Sequence, residues 1–364
     1  MNPRTQRLHA LGQSLWLDNI SREILDNGTL QRYIDDLSLT GLTSNPTIFE
    51  KAMAESTHYD AAIAELTRQG QSGEALLFSL ALQDLRQAAD LFRPVHDATG
   101  GVDGWVSLEL SPLLADDPAG SIESAAGLHA AAARPNLFIK IPGTPACLLA
   151  IEESTYAGVP INVTLLFSRE QYLASADAFL RGIERRITAG LDPNVESVAS
   201  LFVSRWDVAV KDQVAPAYQN RLGIAIAMRT YKAYRELLAS PRWQKLARAG
   251  AHPQRLLWGS TGTKDPAAPD TLYVEALAAP DTVNTIPEKT LLAFADHGKL
   301  GAALAADGGD AEELLADFRR QGVNDEALAQ RLQRDGAAAF AKSWQVLLAR
   351  IGEKSSQLAR AQAR

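Results

Sequence analysis

Short apolar runs of strand length alternate along the chain with longer segments whose apolar residues recur every three or four positions. The first pattern is typical of buried β-strands and the second of amphipathic helices. The predicted strands are residues 14–20, 38–46, 105–110, 136–142, 160–167, 197–205, 255–261 and 281–287. The predicted helices are residues 1–12, 21–36, 47–69, 72–93, 121–133, 145–156, 168–189, 222–239 and 271–278. Residues 288–364 are predicted to be helical, with breaks at Gly308, Gly309 and Gly322.

Eight strands that alternate with helices predict an α/β fold, a single (β/α)8 TIM barrel with extra N- and C-terminal helices. We expect residues 1–364 to form one such domain. A doubly wound sheet is the alternative, but the first strand is not followed by the glycine-rich turn of a dinucleotide-binding fold. Gly259, Gly262 and Lys264 lie close together, yet their spacing does not match a P-loop.

Composition narrows the class of protein. Hydrophobic residues make up 46% and charged residues 22% of the chain, which argues against disorder. The net charge, 36 − 43 = −7, gives no basic field for nucleic acid or an anionic membrane. Cys147 is the only cysteine and the six histidines are scattered, so we expect no disulfide and no metal site. The N-terminus lacks the apolar core of a signal peptide, which favours a cytoplasmic protein.

The most unusual position is Lys140, which interrupts the apolar strand Asn-Leu-Phe-Ile-Lys-Ile-Pro. Lysine is among the residues least often buried without a partner. Its ammonium could escape to solvent at the end of the strand, or its amine could be kept dry for use as a nucleophile. The segment alone favours the structural explanation.

Polar residues on neighbouring strands strengthen the second explanation. Side chains two positions apart in a strand share one face. The pairs or sets that share a face are Trp16 with Asp18, Thr43 with Asn45, Ser107 with Glu109, Asn162 with Thr164, and Ser200 with Phe202 and Ser204, while Arg205 falls at a strand end. Each set lies near the carboxyl end of its strand, where a barrel keeps its active site. Burying so many unpaired polar groups would be costly, so they are predicted to line a pocket.

This inventory of side chains favours amine chemistry. A lysine amine attacks carbonyl carbon to form a Schiff base, which then serves as an electron sink for cleavage of a neighbouring C–C bond. Glu109, with Thr164 and a water molecule, would serve as the acid/base for dehydration of the carbinolamine. Asp18 would serve as the base for the substrate hydroxyl.

Several segments together resemble the transaldolases, over about residues 14–300. The matching segments are WLDNISR, GLTSNPTIFEKA, WVSLELSP, NLFIKIPGT, GVPINVTLLFS, VASLFVSRWD and LLWGSTGTKDP. The length of the chain and these sequence variants resemble the longer class found in some bacteria and plants, rather than the shorter class. The resemblance implies a class I aldolase-type barrel of the pentose phosphate pathway that uses no cofactor. It also implies transfer of a dihydroxyacetone unit from sedoheptulose 7-phosphate to glyceraldehyde 3-phosphate, with erythrose 4-phosphate and fructose 6-phosphate as products.

The resemblance assigns a role to each candidate residue. Lys140 would be the nucleophile, Asp18 the acid/base of the C–C step, and Glu109 with Thr164 the pair that activates water. The residues implied to hold substrate are Asn45, Asn162, Ser200, Phe202, Arg205 and Ser260, with Arg205 as the phosphate-binding arginine.

The chain departs from the family at its second phosphate-binding arginine. Shorter relatives carry it after the seventh strand, where this chain has Ser260 but no arginine. We expect Lys264 to supply the missing charge, helped by backbone N–H groups of its turn. A solvated loop lysine is the alternative interpretation, and Arg22 is a weaker candidate for the same role.

Two other functions stay open from the sequence. A Schiff-base aldolase would release free dihydroxyacetone from fructose 6-phosphate instead of transferring it. A non-catalytic barrel would only bind a sugar phosphate, but such a protein could dispense with the lysine and both carboxylates. We expect sugar phosphates as the only partners, with no nucleic acid and no membrane, and a monomer or a homodimer.

Overall fold

A computed structural model describes residues 1–362, and its centre is a closed barrel of eight parallel strands that neighbour one another in chain order. The strands are β1 Gln13–Leu17, β2 Leu39–Thr43, β3 Trp105–Glu109, β4 Leu137–Pro142, β5 Ile161–Leu166, β6 Ser197–Phe202, β7 Gln254–Gly259 and β8 Thr282–Ile286. β1 pairs with both β2 and β8, which closes the sheet. The predicted (β/α)8 barrel is therefore confirmed.

Helices surround this barrel. The helices are α1 Pro3–Ala10, α2 Arg22–Asp26, α3 Thr29–Leu37, α4 Pro46–Glu55, α5 Asp60–Arg68, α6 Gly73–Ala98, α7 Pro118–Ala132, α8 Leu148–Ala157, α9 Arg169–Thr188, α10 Ser204–Val210, α11 Leu222–Ala239, α12 Pro241–Arg248, α13 Leu272–Ala276, α14 Glu288–His297, α15 Ala311–Arg320 and α16 Asp325–Gln362. The extra N- and C-terminal helices are α1, α15 and α16. Residues 363–364, which we also expected to be helical, lie outside the described residues. None of the helices in residues 1–362 is long and apolar enough to cross a membrane.

Aromatic side chains fill the amino-terminal half of the barrel interior, which we call the barrel floor. The rings of Trp105 and Phe138 stack with centroids 4.1 Å apart, and Trp16 packs on Phe138 at 5.9 Å. Gly41 on β2 makes room for this cluster, because a Cβ there would lie 2.6 Å from Trp16 Nε1 and from the carbonyl oxygen of Trp105. The closed floor confines any ligand to the carboxyl-terminal end of the barrel.

Two predicted strands are shorter than expected because their last residues begin helices. The segment predicted as residues 38–46 leaves the sheet after Thr43, since Asn45 caps α4 by accepting a hydrogen bond from the N–H of Ile48 at 3.0 Å. The segment predicted as residues 197–205 ends at Phe202, and Arg205 lies in the first turn of α10 rather than in a strand. Trp206 anchors that turn, because its buried indole donates to the carbonyl of Phe167 at 3.0 Å.

Several predicted helices also had wrong bounds. The helix predicted as residues 21–36 is split into α2 and α3 at Gly28, which adopts a left-handed φ of 76°. The helix predicted as residues 47–69 is interrupted at Ser56, whose backbone is extended. Pro94 does not end α6. Proline has no N–H to donate to the carbonyl of Asp90, but Asp90 is exposed, so water can bind that carbonyl instead. The short helix α12 was not predicted.

The long helix α16 runs over the carboxyl-terminal end of the barrel. It packs on α4 and α5 and also reaches β5. Gln333 near its start donates from Nε2 to the carbonyls of Gly143 and Leu165, at 2.9 and 3.0 Å. Leu165 has a left-handed φ of 59° at an irregular point in β5, so α16 satisfies a backbone group that the sheet leaves unpaired. The helix therefore forms part of the wall above the barrel mouth.

Candidate active site

Lys140 lies on β4 with its side chain inside the barrel, 5% exposed. Its ammonium donates to the carboxylate Oε2 of Glu109 at 3.1 Å and to the backbone carbonyl of Ser44 at 3.0 Å. The register explains the first contact, because Glu109 on β3 pairs directly with Lys140. The lysine is therefore buried and paired, and its amine faces a cleft at the barrel mouth.

Glu109 is itself only 6% exposed. Burial raises the pKa of its carboxyl above the usual range, although the neighbouring Lys140 opposes that shift. A carboxylate with a raised pKa is a better proton acceptor for an ammonium 3.1 Å away. This pair can therefore exchange the proton that a lysine must lose before it attacks a carbonyl.

Asp18 follows directly after β1 and provides the second carboxylate. Burial raises its pKa, while Lys140 and a hydrogen bond from Thr43 Oγ1 at 3.1 Å lower it. Asp18 lines the cleft, and β1, which precedes it, lies across the closed barrel from β5, which carries Thr164. Asp18 and Thr164 can therefore contact different atoms of one substrate.

Asn162, Ser107 and Ser200 form a buried chain of hydrogen bonds beside Lys140. Asn162 pairs with Lys140 in the sheet, donates from Nδ2 to Ser107 Oγ at 3.1 Å and accepts from Ser200 Oγ at 2.7 Å. Of these three side chains, Ser200 lines the cleft. Above them, Thr164 also lines the cleft, and its buried hydroxyl has no hydrogen-bond partner among the described residues. Such a hydroxyl is available to a water molecule or a substrate.

The cleft has a volume of about 340 Å³ and opens at the carboxyl ends of the strands. The predicted site residues that line it are Asp18, Asn45, Lys140, Thr164, Ser200, Phe202, Arg205, Ser260 and Lys264. Glu109 and Asn162 lie behind this surface and contact lining residues. The structure thus brings all the predicted site residues to one end of the barrel.

Cationic groups mark one part of the cleft. Arg205 and Lys264 both line it, and Lys264 forms no ion pair with any residue of the described chain. Ser260 has a left-handed φ of 56°, and its hydroxyl shares a hydrogen bond of 2.9 Å with Ser204. Arg22 does not belong to this group, because its guanidinium binds Asp84 Oδ1 at 2.8 and 3.0 Å.

The sequence alone did not identify several of the residues that line the cleft, and three of them bear on its chemistry. Lys51 on α4 adds a third cation, and its only signal was its place in the segment GLTSNPTIFEKA. Thr285 on β8 contributes a buried hydroxyl without a partner in residues 1–362, and it lies two positions after Val283 on the same face. Phe340 comes from α16, and no local pattern in the sequence points to it.

Across residues 1–362, no group of three or more histidine, cysteine, aspartate or glutamate side chains is placed to hold a metal ion. The polar groups of the cleft are instead an amine, carboxylates, hydroxyls and cations. They suit a substrate with a carbonyl, several hydroxyls and a negative charge.

Comparison with known proteins identifies the family that the sequence segments resemble. The family model described as transaldolase/fructose-6-phosphate aldolase matches residues 15–351. A transaldolase of Renibacterium salmoninarum is 43% identical over 357 residues, which cover 96% of each chain. A transaldolase of Thermobifida fusca is 44% identical and covers 97% of this chain and 99% of its own. A transaldolase of Neisseria gonorrhoeae is 42% identical and covers 93% of this chain and 97% of its own.

Proposed function

The chain belongs to the transaldolase/fructose-6-phosphate aldolase family, and we propose that it transfers a dihydroxyacetone unit between sugar phosphates through a Schiff base on Lys140. The observation that carries this proposal is a buried lysine hydrogen-bonded to a buried glutamate, inside a cleft that also holds a second carboxylate. The donor would be sedoheptulose 7-phosphate and the acceptor glyceraldehyde 3-phosphate.

The first step forms the imine. Glu109 takes a proton from the Lys140 ammonium, and the free amine adds to the C2 carbonyl of the donor to give a carbinolamine. Glu109 then returns the proton to the departing hydroxyl, so that water leaves and the iminium forms. The unpartnered hydroxyl of Thr164 would hold that water. The raised pKa of Glu109 supports this shuttle because both of its protonation states must be accessible.

The second step breaks the C3–C4 bond. Asp18 removes the proton from the C4 hydroxyl, the C–C bond cleaves, and its electrons flow into the iminium to give an enamine. Erythrose 4-phosphate leaves as the aldehyde. The burial that raises the pKa of Asp18 supports its role, since the group must accept this proton and later return it.

The third step reverses the second on a new aldehyde. The enamine carbon attacks the carbonyl of glyceraldehyde 3-phosphate, and Asp18 donates its proton to the new hydroxyl. Hydrolysis of the resulting iminium, with Glu109 and Thr164 again positioning water, releases fructose 6-phosphate and restores Lys140. Asn45 and Ser200, with Asn162 behind them, would hold the hydroxyls of the dihydroxyacetone unit throughout.

The phosphate would bind where Arg205, Lys264 and Ser260 line the cleft. Lys264 is exposed and free of ion pairs in the described chain, which supports its role as the substitute for the second arginine. Such an enzyme would work in the cytoplasm, where sugar phosphates are interconverted.

A transfer assay tests the proposal directly. Sedoheptulose 7-phosphate and glyceraldehyde 3-phosphate are supplied together, and we expect fructose 6-phosphate and erythrose 4-phosphate in equal amounts. Lys140→Arg keeps a cation beside Glu109 but cannot form an imine, and we expect it to be inactive. Release of dihydroxyacetone from fructose 6-phosphate at the same rate with and without erythrose 4-phosphate would instead identify an aldolase.

A further inference from the structure

Arg205 has an unusual environment for a cation. Its side chain is partly buried and lines the active-site cleft, yet within residues 1–362 it forms neither a hydrogen bond nor an ion pair. Burial lowers the pKa of its guanidinium, and Glu109 provides only a partial electrostatic compensation. Its N–H groups are therefore free to bind an anion, and a bidentate phosphate contact matches their geometry.

Two aromatic rings hold this guanidinium in place. Arg205 Cζ lies 5.2 Å from the ring centroid of Phe202 on β6 and 5.5 Å from that of Phe340 on α16. Both distances are within the range of a cation–π interaction. The two centroids are 6.5 Å apart, so the rings contact the guanidinium from adjoining sides rather than from opposite faces. We call this arrangement the aromatic corner of Phe202 and Phe340.

The helix that carries Phe340 also leaves space for the arginine. Gly336, one turn earlier on α16, is buried, and a Cβ at that position would lie 3.1 Å from Arg205 Nη1 and 3.0 Å from Leu165 Cδ2. A side chain at this position would therefore crowd the guanidinium. Glycine is required here because it has no side chain and not because of its backbone freedom, since position 336 lies within a helix.

Contacts on both sides of Phe340 fix its helix against the barrel. Gln333 binds the carbonyls of Gly143 and Leu165 at the ends of β4 and β5. Trp344 donates from its indole to Glu74 Oε1 at 2.5 Å and packs on Phe78, both on α6. Phe340 itself is only 6% exposed. The ring is thus held at a fixed height above the cleft before any ligand binds.

We propose that Phe340 is a positioning residue for phosphate recognition, which holds the Arg205 guanidinium with its N–H edge toward the substrate phosphate. The inference rests on the proposed function, because it concerns how the sugar phosphate is held. Because the corner already fixes the long arginine side chain, the side chain loses less rotamer freedom when phosphate binds. Because the corner also shields the guanidinium from water, its charge-assisted hydrogen bonds to phosphate are stronger. It thereby compensates in part for the missing second arginine.

The test compares Phe340→Ala with Phe340→Tyr, which keeps an aromatic ring. Binding of inorganic phosphate is measured by calorimetry, and KM is measured for glyceraldehyde 3-phosphate and for unphosphorylated glyceraldehyde. Loss of one cation–π contact is expected to weaken phosphate binding about three- to thirty-fold in Phe340→Ala. The KM for glyceraldehyde 3-phosphate should rise by a similar factor relative to that for glyceraldehyde. Phe340→Tyr should retain the affinity of the wild type.

A matched control separates positioning from loosening of the helix. Trp344→Phe, on the same helix as Phe340, removes the indole hydrogen bond to Glu74 on α6 but keeps an aromatic ring to pack on Phe78. Because that packing and Gln333 still anchor the helix, we expect its phosphate affinity to fall much less than that of Phe340→Ala. Gly336→Ala should weaken phosphate binding, because its new Cβ displaces the guanidinium.

Three results would overturn the inference. They are unchanged phosphate affinity in Phe340→Ala, an equal rise in KM for the phosphorylated and unphosphorylated aldehydes, and equal losses in Phe340→Ala and Trp344→Phe. Failure of the proposed function is a different result, since it would appear as absent transfer activity in the wild type. Phosphate calorimetry does not depend on that activity.

Discussion

Replacement of Lys140 by methionine tests the electrostatics of the site in the folded protein. Methionine has a similar length but no charge, so the change removes the cation and little volume. Lys140 Nζ and Glu109 Oε2 are 3.1 Å apart, and both side chains are more than nine-tenths buried. Removing one partner of a buried ion pair costs about 3–5 kcal/mol when the other partner stays charged.

The cost should depend on pH, because Glu109 can avoid it by taking up a proton. Burial already raises the pKa of Glu109 and Lys140 opposes that shift, so the pKa rises further in Lys140→Met. A folded-state pKa above the unfolded value makes stability greatest at low pH. That stability is then lost as the pH rises from the unfolded value of about 4.3 through the folded-state pKa. Each further unit of pKa corresponds to about 1.4 kcal/mol.

Urea unfolding at pH 5 and pH 8 measures this effect in the wild type, Lys140→Met, Glu109→Gln and the double variant. We expect Lys140→Met to lose about 3 kcal/mol at pH 8 and markedly less at pH 5. The double variant should recover most of the loss at pH 8, since no carboxylate is then left unpaired. An equal loss at both pH values, or additive losses in the double variant, would show that Lys140 and Glu109 do not form a coupled ion pair.

Three further predictions concern the phosphate site, the acid/base and the barrel floor. Lys264→Ala should raise KM for glyceraldehyde 3-phosphate about two- to five-fold, as expected for the loss of an exposed cation. Unchanged steady-state kinetics would mean that the lysine is only a solvated loop residue. Asp18→Asn should abolish transfer yet still form a borohydride-reducible imine with fructose 6-phosphate, because imine formation depends on Glu109. Loss of the imine as well would contradict separate roles for Asp18 and Glu109. Gly41→Ala should lower the free energy of unfolding by about 1–3 kcal/mol, because its Cβ would lie 2.6 Å from Trp16 Nε1. The control Gly127→Ala, in an exposed turn of α7 with nothing within 4 Å, should not be destabilising, and equal effects would show that the floor is not tightly packed.

The barrel could be predicted from the sequence because each strand is a short apolar run with its own helix after it. Strand parity also predicted that Glu109 shares a face with Ser107, and the sheet register of the structure then places Glu109 beside Lys140. Strand parity does not predict which polar groups form hydrogen bonds with one another. Asn162 shares its face with Thr164, but Asn162 is hydrogen-bonded to Ser107 and Ser200, whereas the hydroxyl of Thr164 has no partner among the described residues.

Other features depend on contacts that no local pattern encodes. The helical start at Ser204 depends on tertiary packing, because the indole of Trp206 in that first turn is buried and donates to the carbonyl of Phe167. Phe340 is 135 positions after Arg205 in the chain, as 340 − 205 = 135, and reaches it only because α16 crosses the barrel mouth. A side chain delivered in this way is visible in the structure but not in hydrophobic periodicity.

The proposed mechanism depends on Lys140 as the nucleophile. Borohydride reduction in the presence of fructose 6-phosphate, followed by peptide mass mapping, identifies the lysine that forms the imine. We expect a single reduced dihydroxyacetone adduct on the peptide that contains Lys140, and none in Lys140→Arg. An adduct on another lysine such as Lys51 or Lys264, or no adduct at all, would contradict it.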